Sequence, residues 1–519
     1  MKLILGDFAP DLDSTVAGIM GDRIPPGAQI ILTDSQWCYS TRGGFRNMPS
    51  PLPVMTALPF KVTGAFATPL GGEFVLVLAT ANQLYQTPGG NLVNQNLNLR
   101  NLTNPWYFTV YGNDLLATNG VDPIQVSSSG ENFQALPGMP PISSIVEATD
   151  FTLFAILADS NEFVYTFNDT IWTPSLATIT VTGALTSTPG IITAAKALRA
   201  GITLYKANAL YSGQWSGSPP FFWNFGKVSD KIGTPGPNSV ISVIGPTIFG
   251  GGPIQIFVGP SDFYTFDGYS LSTIPNNLSR WFFGSYQGNG DLDQNYSSSI
   301  FLQWDLPRNQ VIFWYPSVNA SPAGTLDSYL SLSLATGKWL HGRNTIDTPL
   351  VGQVPKSWAY TWAEFENYWV KYVNIPGSPD PRGVYGAPFF GGSSIGLSGY
   401  VDTSHVLQAL NGSDISNIPA FIITGDIGDK VSLYSLSRAR PGFNQYPQGQ
   451  PLASPAKLTV LSTYVAGQAP IAKQGNVDIS DSGYFDFVST DRLQRLKMMW
   501  MADGELADID AEVGYAGEN

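Results

Sequence analysis

Short apolar strands separated by tight turns recur along most of this chain, and this repeat restricts its fold more than any other feature. One unit begins at Phe108, where a strand meets the turn Gly112-Asn113-Asp114, and a second turn follows at Asn119-Gly120. Asn, Asp and Gly accept the positive φ angles that two-residue hairpin turns require. The same pattern returns in residues 74–85, 151–167, 204–211, 254–274 and 300–339. Strand units that repeat every few dozen residues are typical of a β-propeller.

The composition agrees with an all-β chain that is too long for one core. Of its 519 residues, 13% are charged, 54 are Gly and 39 are Pro, whereas about 25% of residues are charged in an average soluble domain. We predict an all-β fold in three parts. These are an N-terminal segment over residues 1–55, a β-propeller of six to eight blades over 56–410, and a small C-terminal antiparallel β module over 411–519.

Three stretches leave local alternatives or boundaries open. Residues 170–202 fit the repeat poorly and suggest either a short helix at Ala194–Arg199 or an insertion off one blade. Residues 431–438 form a predicted strand that Pro441-Gly442 would stop. The uncharged stretch between Lys231 and Asp262 contains four prolines and three successive glycines, so two strands joined by a loop are favoured there over a membrane span.

Charge and residue usage exclude several functional classes. The net charge is −13, the wrong sign for a protein that binds DNA by displacing counterions from phosphates. Cys38 is the only cysteine, and His341 and His405 are the only histidines. A disulfide framework, a cysteine-rich zinc site and a three-histidine metal site therefore lack ligands. We predict no cofactor and no metal, and the N-terminus lacks the apolar run of a signal peptide.

The clearest period-2 segment lies near the C-terminus and carries an acidic row. Asp508, Asp510 and Glu512 alternate with apolar residues over residues 507–513, so one strand would carry all three carboxylates on one face. A solvated strand face is the simplest interpretation. The sharper one is that identical strands from several subunits line a channel with negative charge.

Paired carboxylates supply the alternative, enzymatic hypothesis. Glu364 and Glu366 would share a strand face among aromatic residues, and Asp291 and Asp293 open a loop that fails the EF-hand pattern. Aromatic residues beside carboxylates suit a glycoside hydrolase. A propeller that binds or cleaves polysaccharide, as a tail adhesin or a glycosidase, would require these acids to meet at its central depression. The aromatic turn from Trp215 to Trp223 suggests either a sugar platform or core packing.

Several segments together resemble the tail propeller proteins of short-tailed bacteriophages, the nozzle or hub components. The resemblance is carried by residues 204–225 with Trp-Ser-Gly at 215–217, by residues 256–268 followed by Ile274-Pro275, and by a C-terminal group. That C-terminal group consists of Thr424-Gly425-Asp426, Arg438-Ala439-Arg440-Pro441, Phe485-Asp486-Phe487, Arg492 and Arg495. The resemblance as a whole is spread over most of the chain.

The resemblance implies a structural virion protein rather than an enzyme. Such a protein would continue the DNA ejection channel of a phage tail, help to retain packaged DNA, and reach the virion after synthesis in the host cytoplasm. The implied partners are five further copies in a homo-hexamer, tail adaptor proteins, and tail fibres or spikes. Double-stranded DNA would pass through the lumen without sequence-specific binding, and Asp508, Asp510 and Glu512 would be candidates for the channel wall.

Overall fold

A computed structural model describes most of the chain. The described residues are 2–12, 29–70, 73–86, 93–95, 97, 99–101, 103–128, 132–136, 142–150, 152–166, 180–218, 222–245, 251–285, 288–352, 354–355, 396–397, 399–410, 418–428, 432–444, 456–463, 470–480, 483–500 and 504–518. They are almost entirely β-structure, with one short α-helix in the described part, α1 (Ser279–Phe283). The predicted all-β fold is confirmed.

The strands are numbered in chain order. The N-terminal strands are β1 (Lys2–Phe8), β2 (Gln29–Gln36), β3 (Cys38–Ser40), β4 (Phe45–Asn47) and β5 (Pro51–Pro53). The first propeller blade consists of β6 (Val62–Leu70), β7 (Glu73–Thr80), β8 (Leu84–Gln86) and β9 (Val93–Asn94). The second consists of β10 (Tyr107–Tyr111), β11 (Asp114–Thr118), β12 (Gln125–Ser128) and β13 (Gln134–Ala135). The third consists of β14 (Ser143–Ala148), β15 (Leu153–Leu157), β16 (Glu162–Thr166) and β17 (Thr180–Ala184).

The fourth blade consists of β18 (Ile192–Leu198), β19 (Gly201–Lys206), β20 (Ala209–Trp215) and β21 (Trp223–Ser229). The fifth consists of β22 (Val240–Gly245), β23 (Gly252–Val258), β24 (Phe263–Phe266) and β25 (Leu271–Thr273). The sixth consists of β28 (Phe301–Asp305), β29 (Gln310–Tyr315), β30 (Leu326–Ser333) and β31 (Trp339–Gly352). The connecting strands are β26 (Gly284–Ser285), β27 (Gly288–Asn289), β32 (Val354–Pro355), β33 (Gly396–Leu397), β34 (Gly399–Asp402) and β35 (Leu407–Leu410). The C-terminal strands are β36 (Ala420–Thr424), β37 (Ile427–Gly428), β38 (Ser432–Phe443), β39 (Lys457–Thr463), β40 (Ile471–Asp478), β41 (Phe485–Asp491), β42 (Leu493–Trp500) and β43 (Glu505–Glu518).

In the described part of the chain, six four-stranded antiparallel meanders form the propeller, and we call them blades 1 to 6 in chain order. The turns that the sequence predicted join their strands: Tyr111 pairs with Asp114 across a two-residue turn in which Gly112 has a φ of 61°. The first strands of blades 2 to 6 lie side by side in sequence order. This is the radial arrangement of a propeller.

The ring closes between blade 6 and blade 1. The end of β31 leaves its own blade and pairs in parallel with β6, with Leu350 opposite Ala65. Aromatic side chains fill the spaces between blades, as where Phe263 of blade 5 lies 4.8 Å from Trp339 of blade 6, measured between ring centroids. Each blade therefore buries its faces against two neighbours.

The strands at the two ends of the chain form one sheet together, in the order β41-β38-β43-β1-β2-β36-β42-β39-β40, with β3, β4 and β37 attached at its margins. The sheet rolls up so that its terminal strands meet: Lys473 Nζ on β40 lies 3.4 Å from Asp491 Oδ2 on β41. Its interior is a continuous apolar core that includes Leu3, Trp500 and Ile509. Strands from the predicted segments 1–55 and 411–519 thus form one unit, the rolled sheet, whereas β5 of the first segment pairs with β35 in the propeller sheet.

Two local predictions were wrong. The helix considered at Ala194–Arg199 is the strand β18, because alternate side chains such as Ala194 and Leu198 pack against blade 5 and this tertiary packing overrides the helix propensity of alanine. Strand β38 does not stop at Pro441-Gly442 but continues to Phe443. Beyond Ala439 it pairs only with β43, so the missing N–H of Pro441 breaks no ladder on the other side.

The uncharged stretch before Asp262 contains β22 and β23, as predicted, with residues 246–250 outside the described part. Among the residues described, no helix is long and apolar enough to cross a membrane.

Candidate functional site

The predicted acidic row lies on β43, and its alternation is confirmed. Ile509 and Ala511 are buried in the core of the rolled sheet, whereas Asp510 and Glu512 are exposed and Asp508 is half-buried. The three carboxylates lie on the outer face of the sheet, as period-2 geometry requires.

Strand β1 places a cation beside the row. Lys2 lies directly opposite Asp510 in the ladder between β1 and β43. Its Nζ atom is 2.9 Å from Asp508 Oδ2, and this hydrogen bond, together with the carboxylate charge, raises the pKa of Lys2 above its usual value. Two of the three predicted acids therefore share one ammonium group.

Strand β38 supplies two more cations from the other side. Arg440 lies opposite Asp510, and Arg438 lies opposite both Glu512 and Asp486 of β41. Arg438 Nε is 2.8 Å from Asp486 Oδ1, which raises the pKa of that guanidinium. The ring of Tyr484 lies 4.9 Å from the guanidinium of Arg438 and 5.6 Å from that of Arg440, distances at which a cation and an aromatic face attract.

These contacts replace a bare acidic strip by cross-strand rows of alternating sign. We call this surface the charge-balanced face, and it comprises Lys2, Arg438, Arg440, Asp486, Asp508, Asp510 and Glu512. Opposite charges directly across a strand pair stabilise a sheet, whereas like charges would repel. The position of this face on a channel wall stays a prediction.

Sequence reasoning found the acids of this face but missed its cations. Arg438-Ala439-Arg440 has the same alternation as the acidic row, with a small residue between two charges of the opposite sign. A search for complementary period-2 charge patterns could have paired β38 with β43. Lys2 carries no such signal, because a single lysine at a chain end has no pattern.

The carboxylates of the enzymatic hypothesis do not form a common site in the described part of the chain. Asp291 accepts a hydrogen bond from the Tyr315 hydroxyl at 2.6 Å and lies 3.4 Å from Nη2 of Arg343. Asp293 caps a 3-10 turn by accepting the backbone N–H of Asn295 at 3.1 Å. Asp293 thus stabilises its own loop, whereas Asp291 joins that loop to β29 and β31. Glu364 and Glu366 lie outside the described residues.

Two further candidate features are a metal site and the aromatic turn from Trp215 to Trp223. Within the described ranges, no group of three or more His, Cys, Asp or Glu side chains could hold a metal ion. Trp215 and Trp223 end one strand and begin the next, and their ring centroids lie 5.4 Å apart. The Trp223 ring packs in the core between blades 3 and 4, as the core-packing interpretation predicted.

A buried charged cluster that the sequence did not indicate links the first strands of blades 2, 3 and 4. Tyr107 donates a hydrogen bond to Glu147 Oε2 at 2.7 Å, and Lys196 Nζ lies 3.3 Å from the same oxygen. The backbone N–H of Ala197 donates to the other carboxylate oxygen at 2.9 Å. Burial lowers the pKa of Lys196, but the charges of Glu147 and Tyr107 outweigh it and hold that pKa above its usual value.

This cluster stabilises the packing of the blades, and its Tyr107 and Glu147 are not arranged as a catalytic nucleophile and base. Burial and the adjacent charge of Glu147 raise the pKa of Tyr107, the opposite of what an activated phenolate nucleophile needs. Both oxygens of Glu147 already accept hydrogen bonds within the protein. The arrangement holds three blades in register.

A second polar cluster fixes the rolled sheet to blade 6. On β2, Ser35 Oγ donates to the carbonyl of His341 at 2.7 Å and accepts its N–H at 2.9 Å. Gln36 repeats the arrangement with the backbone of Arg343, at 2.6 and 2.7 Å. The side chains of β2 therefore bond the backbone of β31 much as a further strand would.

Strand β1 extends the same junction. The backbone N–H of Trp339 donates to Asp7, and burial raises the pKa of that carboxyl to about 7 against the opposing effects of this hydrogen bond and of nearby Lys338. Beyond β1, the carboxylate of Asp11 accepts the N–H groups of Arg280 and Trp281 at 2.7 and 2.6 Å. The first dozen residues thus contact both units.

No model of a protein family matches this chain, and no curated protein matches its sequence. Solved structures with similar folds include a chain of the mitotic checkpoint complex (8% identity, 63% of this chain and 88% of that chain covered, TM-score 0.34). Others are the computationally designed protein Ika8 (10% identity, 69% and 98% covered, TM-score 0.31) and the β-propeller domain of Cps50 (Swd1) from Myceliophteria thermophila (10% identity, 58% and 92% covered, TM-score 0.35). At these values the comparison carries no argument about activity, and the blade assignment depends on the strand pairing of this chain.

Proposed function

We propose that this chain is a structural subunit of the nozzle or hub of a short phage tail. Six copies would form a ring that continues the DNA ejection channel in the virion, with adaptor proteins and fibres or spikes as its neighbours. The subunit carries out no catalytic step. Its function is to hold a wall around passing double-stranded DNA and to help retain the packaged genome.

The observation that carries the proposal is the way in which the rolled sheet is joined to the propeller. Strand β1 contributes Leu3 to the core of the rolled sheet and ends at Phe8, which packs into the core between blades 5 and 6. Ser35 and Gln36 then bond the backbone of β31. A subunit whose two parts share cores and hydrogen bonds can bear load without hinging between them, as a tube wall under internal pressure requires.

The charge of the chain supports the same function. Double-stranded DNA carries about one negative charge per 1.7 Å, so a cationic wall would form many phosphate contacts and retard passage. The net charge is −13, and the charge-balanced face pairs its cations with carboxylates. A duplex that passes such a wall meets no row of free cations.

The oligomeric state tests the proposal directly. We expect purified protein, alone or with the tail adaptor complex, to form rings of six with a central opening, measured by mass photometry and negative-stain imaging. Ring closure requires head-to-tail contacts between two different surfaces of each subunit. A protein that stays monomeric in both conditions and releases sugars from polysaccharide would contradict the proposal and favour the enzymatic alternative.

The position of the charge-balanced face has its own test. Replacing Asp508, Asp510 and Glu512 with lysine should slow DNA ejection at low salt if the face lines the lumen, because unpaired cations would then contact phosphates. The matched control replaces three exposed acids of the propeller, Asp150, Glu162 and Asp230, and makes the same change in net charge. Equal ejection rates for the two triple variants in assembled particles would place the face away from the lumen.

A further inference from the structure

The turn between β24 and β25 separates two grooves at the propeller surface. On one side, a cavity of about 620 Å³ lies between blades 4 and 5, and on the other, a cavity of about 590 Å³ lies between blades 5 and 6. Each has the size of an ordinary small-ligand site. The turn consists of residues 267–270, and its Tyr269 lines the first groove while Asp267 and Ser270 line the second.

Tyr269 and Val488 are the most exposed large apolar side chains of the described residues, each with 76% of its surface accessible. A phenol ring held in solvent at the edge of a groove presents a flat apolar face together with a hydroxyl group. Arg199 of blade 4 lies 5.8 Å from the centroid of that ring. The groove between blades 4 and 5 is thus bordered by an aromatic plate and a guanidinium.

Arg199 is the first residue of the two-residue turn between β18 and β19, in which Leu198 pairs with Gly201. Its φ of 55° lies in the left-handed region, which Gly, Asn and Asp adopt more readily than Arg does. A two-residue hairpin turn requires such a positive φ, so the turn itself accounts for this conformation. Among the described residues, no carboxylate lies within 4.0 Å of its guanidinium, but the charge of Arg199 acts on Asp267: burial raises the pKa of that carboxyl, whereas the backbone N–H groups of Ser270 and Tyr269 and the charge of Arg199 lower it and prevail. An anion that binds Arg199 would therefore compete with Asp267 for this charge.

The first groove is lined largely by apolar residues such as Leu198, Ile202 and Trp215, and the second by apolar and polar groups in similar measure. Polar side chains of the first groove are Ser212 and Gln214, which lie on one face of blade 4, whereas Thr203 beside them is buried. The second is lined by the hydroxyl-bearing residues Thr265, Ser270, Ser272, Thr273 and Thr336. Such side chains both donate and accept hydrogen bonds, which is what a ligand rich in hydroxyl groups needs.

Asp267 orders the turn between the grooves. Its Oδ1 atom accepts the backbone N–H groups of Tyr269 and Ser270 at 2.8 and 2.7 Å. These bonds fix the backbone on which the exposed tyrosine stands, so the aromatic plate has a defined position before any ligand binds. Preorganisation of this kind lowers the entropic cost of binding.

We propose that this surface binds an acidic oligosaccharide. One sugar ring would stack on the free face of Tyr269, a carboxylate or phosphate on that sugar or its neighbour would pair with Arg199, and further rings would bond the hydroxyl-lined groove beside Asp267. Guanidinium groups bind such anions through two parallel hydrogen bonds. The inference uses only groups on blades 4, 5 and 6 and is independent of the proposed ring and of any catalytic activity.

Binding to an array of acidic and neutral oligosaccharides tests the proposal. We expect the full chain to bind glycans that contain uronic or sialic acid, or sugar phosphate, and to bind their neutral counterparts at least about tenfold more weakly, the effect of one lost charged contact. Comparison of carboxylated with phosphorylated glycans identifies the anion. A chain that binds no acidic glycan, or binds neutral ones equally well, overturns the proposal.

Two variants assign the binding to this surface. Tyr269→Ala removes the aromatic plate, and Arg199→Asn removes the guanidinium while keeping a residue that tolerates left-handed φ. Each should weaken acidic-glycan binding by about tenfold or more, whereas Tyr515→Ala, which removes an exposed tyrosine of the rolled sheet (62% accessible), should leave it unchanged. Circular dichroism checks that each variant is folded. Unchanged binding in both groove variants overturns the assignment.

Discussion

The propeller and the rolled sheet consist of the same kind of strand but are assembled in opposite ways. In the propeller, strands pair with their sequence neighbours across short turns, as β10 and β11 do around Gly112. In the rolled sheet, β1 pairs with β43 from the other end of the chain, with Leu3 opposite Ile509. Each blade is therefore built from one contiguous stretch of the chain, whereas the rolled sheet combines strands from both ends.

Removing the first strands should separate the two regions and have the largest effect. Deletion of residues 1–36 takes β1 and β2 from the middle of the rolled sheet. Strand β43 then loses β1 but keeps β38 and β4, and β36 loses β2 but keeps β42. We expect the amides of β43 and β36 to lose hydrogen-exchange protection while those of blades 2 to 4 keep it. The point variant Leu5→Asp, which places a charge in the same core, should show the same pattern with smaller amplitude.

Full protection of β43 in the shortened chain would contradict this comparison. The exposed N-terminal position Leu12 (40% accessible) provides the control, because Leu12→Asp changes the same charge without entering the core. It should leave exchange in both regions unchanged.

In the propeller, the corresponding test is the contribution of the buried pair Lys196 and Glu147 to stability. Lys196→Met leaves Glu147, whose side chain is 6% exposed, without its cation, and breaking a buried pair in this way costs about 3 kcal/mol or more. The double variant Lys196→Met/Glu147→Gln removes both charges and should be less destabilised than the single variant. Urea unfolding followed by tryptophan fluorescence measures both. A double variant that loses more stability than Lys196→Met would show that the cluster is not an ion pair in energetic terms.

The junction between the two regions should depend on pH through Asp7. Burial raises the folded-state pKa of Asp7 from its ordinary 3.8 to about 7, so its neutral form favours folding. That contribution is fully present below about pH 3.8 and is lost as the pH rises through 7. Between pH 5 and pH 8 the native chain should therefore lose about 2 kcal/mol of stability more than Asp7→Asn does.

Thermal unfolding at the two pH values measures this difference. Asp230→Asn is the control, because it makes the same change from acid to amide at an exposed position, where Lys227 Nζ lies 3.4 Å from Asp230 Oδ2. Parallel stability curves for the native chain and Asp7→Asn would contradict the prediction.

The charge-balanced face should give the smallest effect. Asp510 is exposed between Lys2 and Arg440, and exposed ion pairs contribute about 1 kcal/mol or less. Asp510→Asn should lower the free energy of unfolding by no more than that, and 1 M NaCl should remove most of the difference because salt screens exposed charges. A larger loss, or one that salt does not change, would mean that this face is buried against another subunit.

Local chemistry let the sequence predict the propeller. Turn residues such as Gly112 and Gly337 need few neighbours to act, since a positive φ costs glycine little wherever it occurs. The alternation of buried and exposed residues along β43 is equally local, so the three acids were correctly placed on one face. By contrast, Ala194 and Pro441 misled, because packing and the position of a strand within its sheet overrode their usual preferences.

Tertiary structure alone decided which strands meet. Pairing of β1 with β43 and of β2 with β36 joins segments that are far apart in the sequence. The residues of one segment do not by themselves predict with which other strand it pairs. The charge of the predicted site followed from that pairing: Asp510 is acidic in the sequence, but Lys2 and Arg440 on either side make its surroundings nearly neutral. A sequence fixes the sign of each side chain, whereas the potential at a surface is a sum over neighbours that only the folded chain brings together.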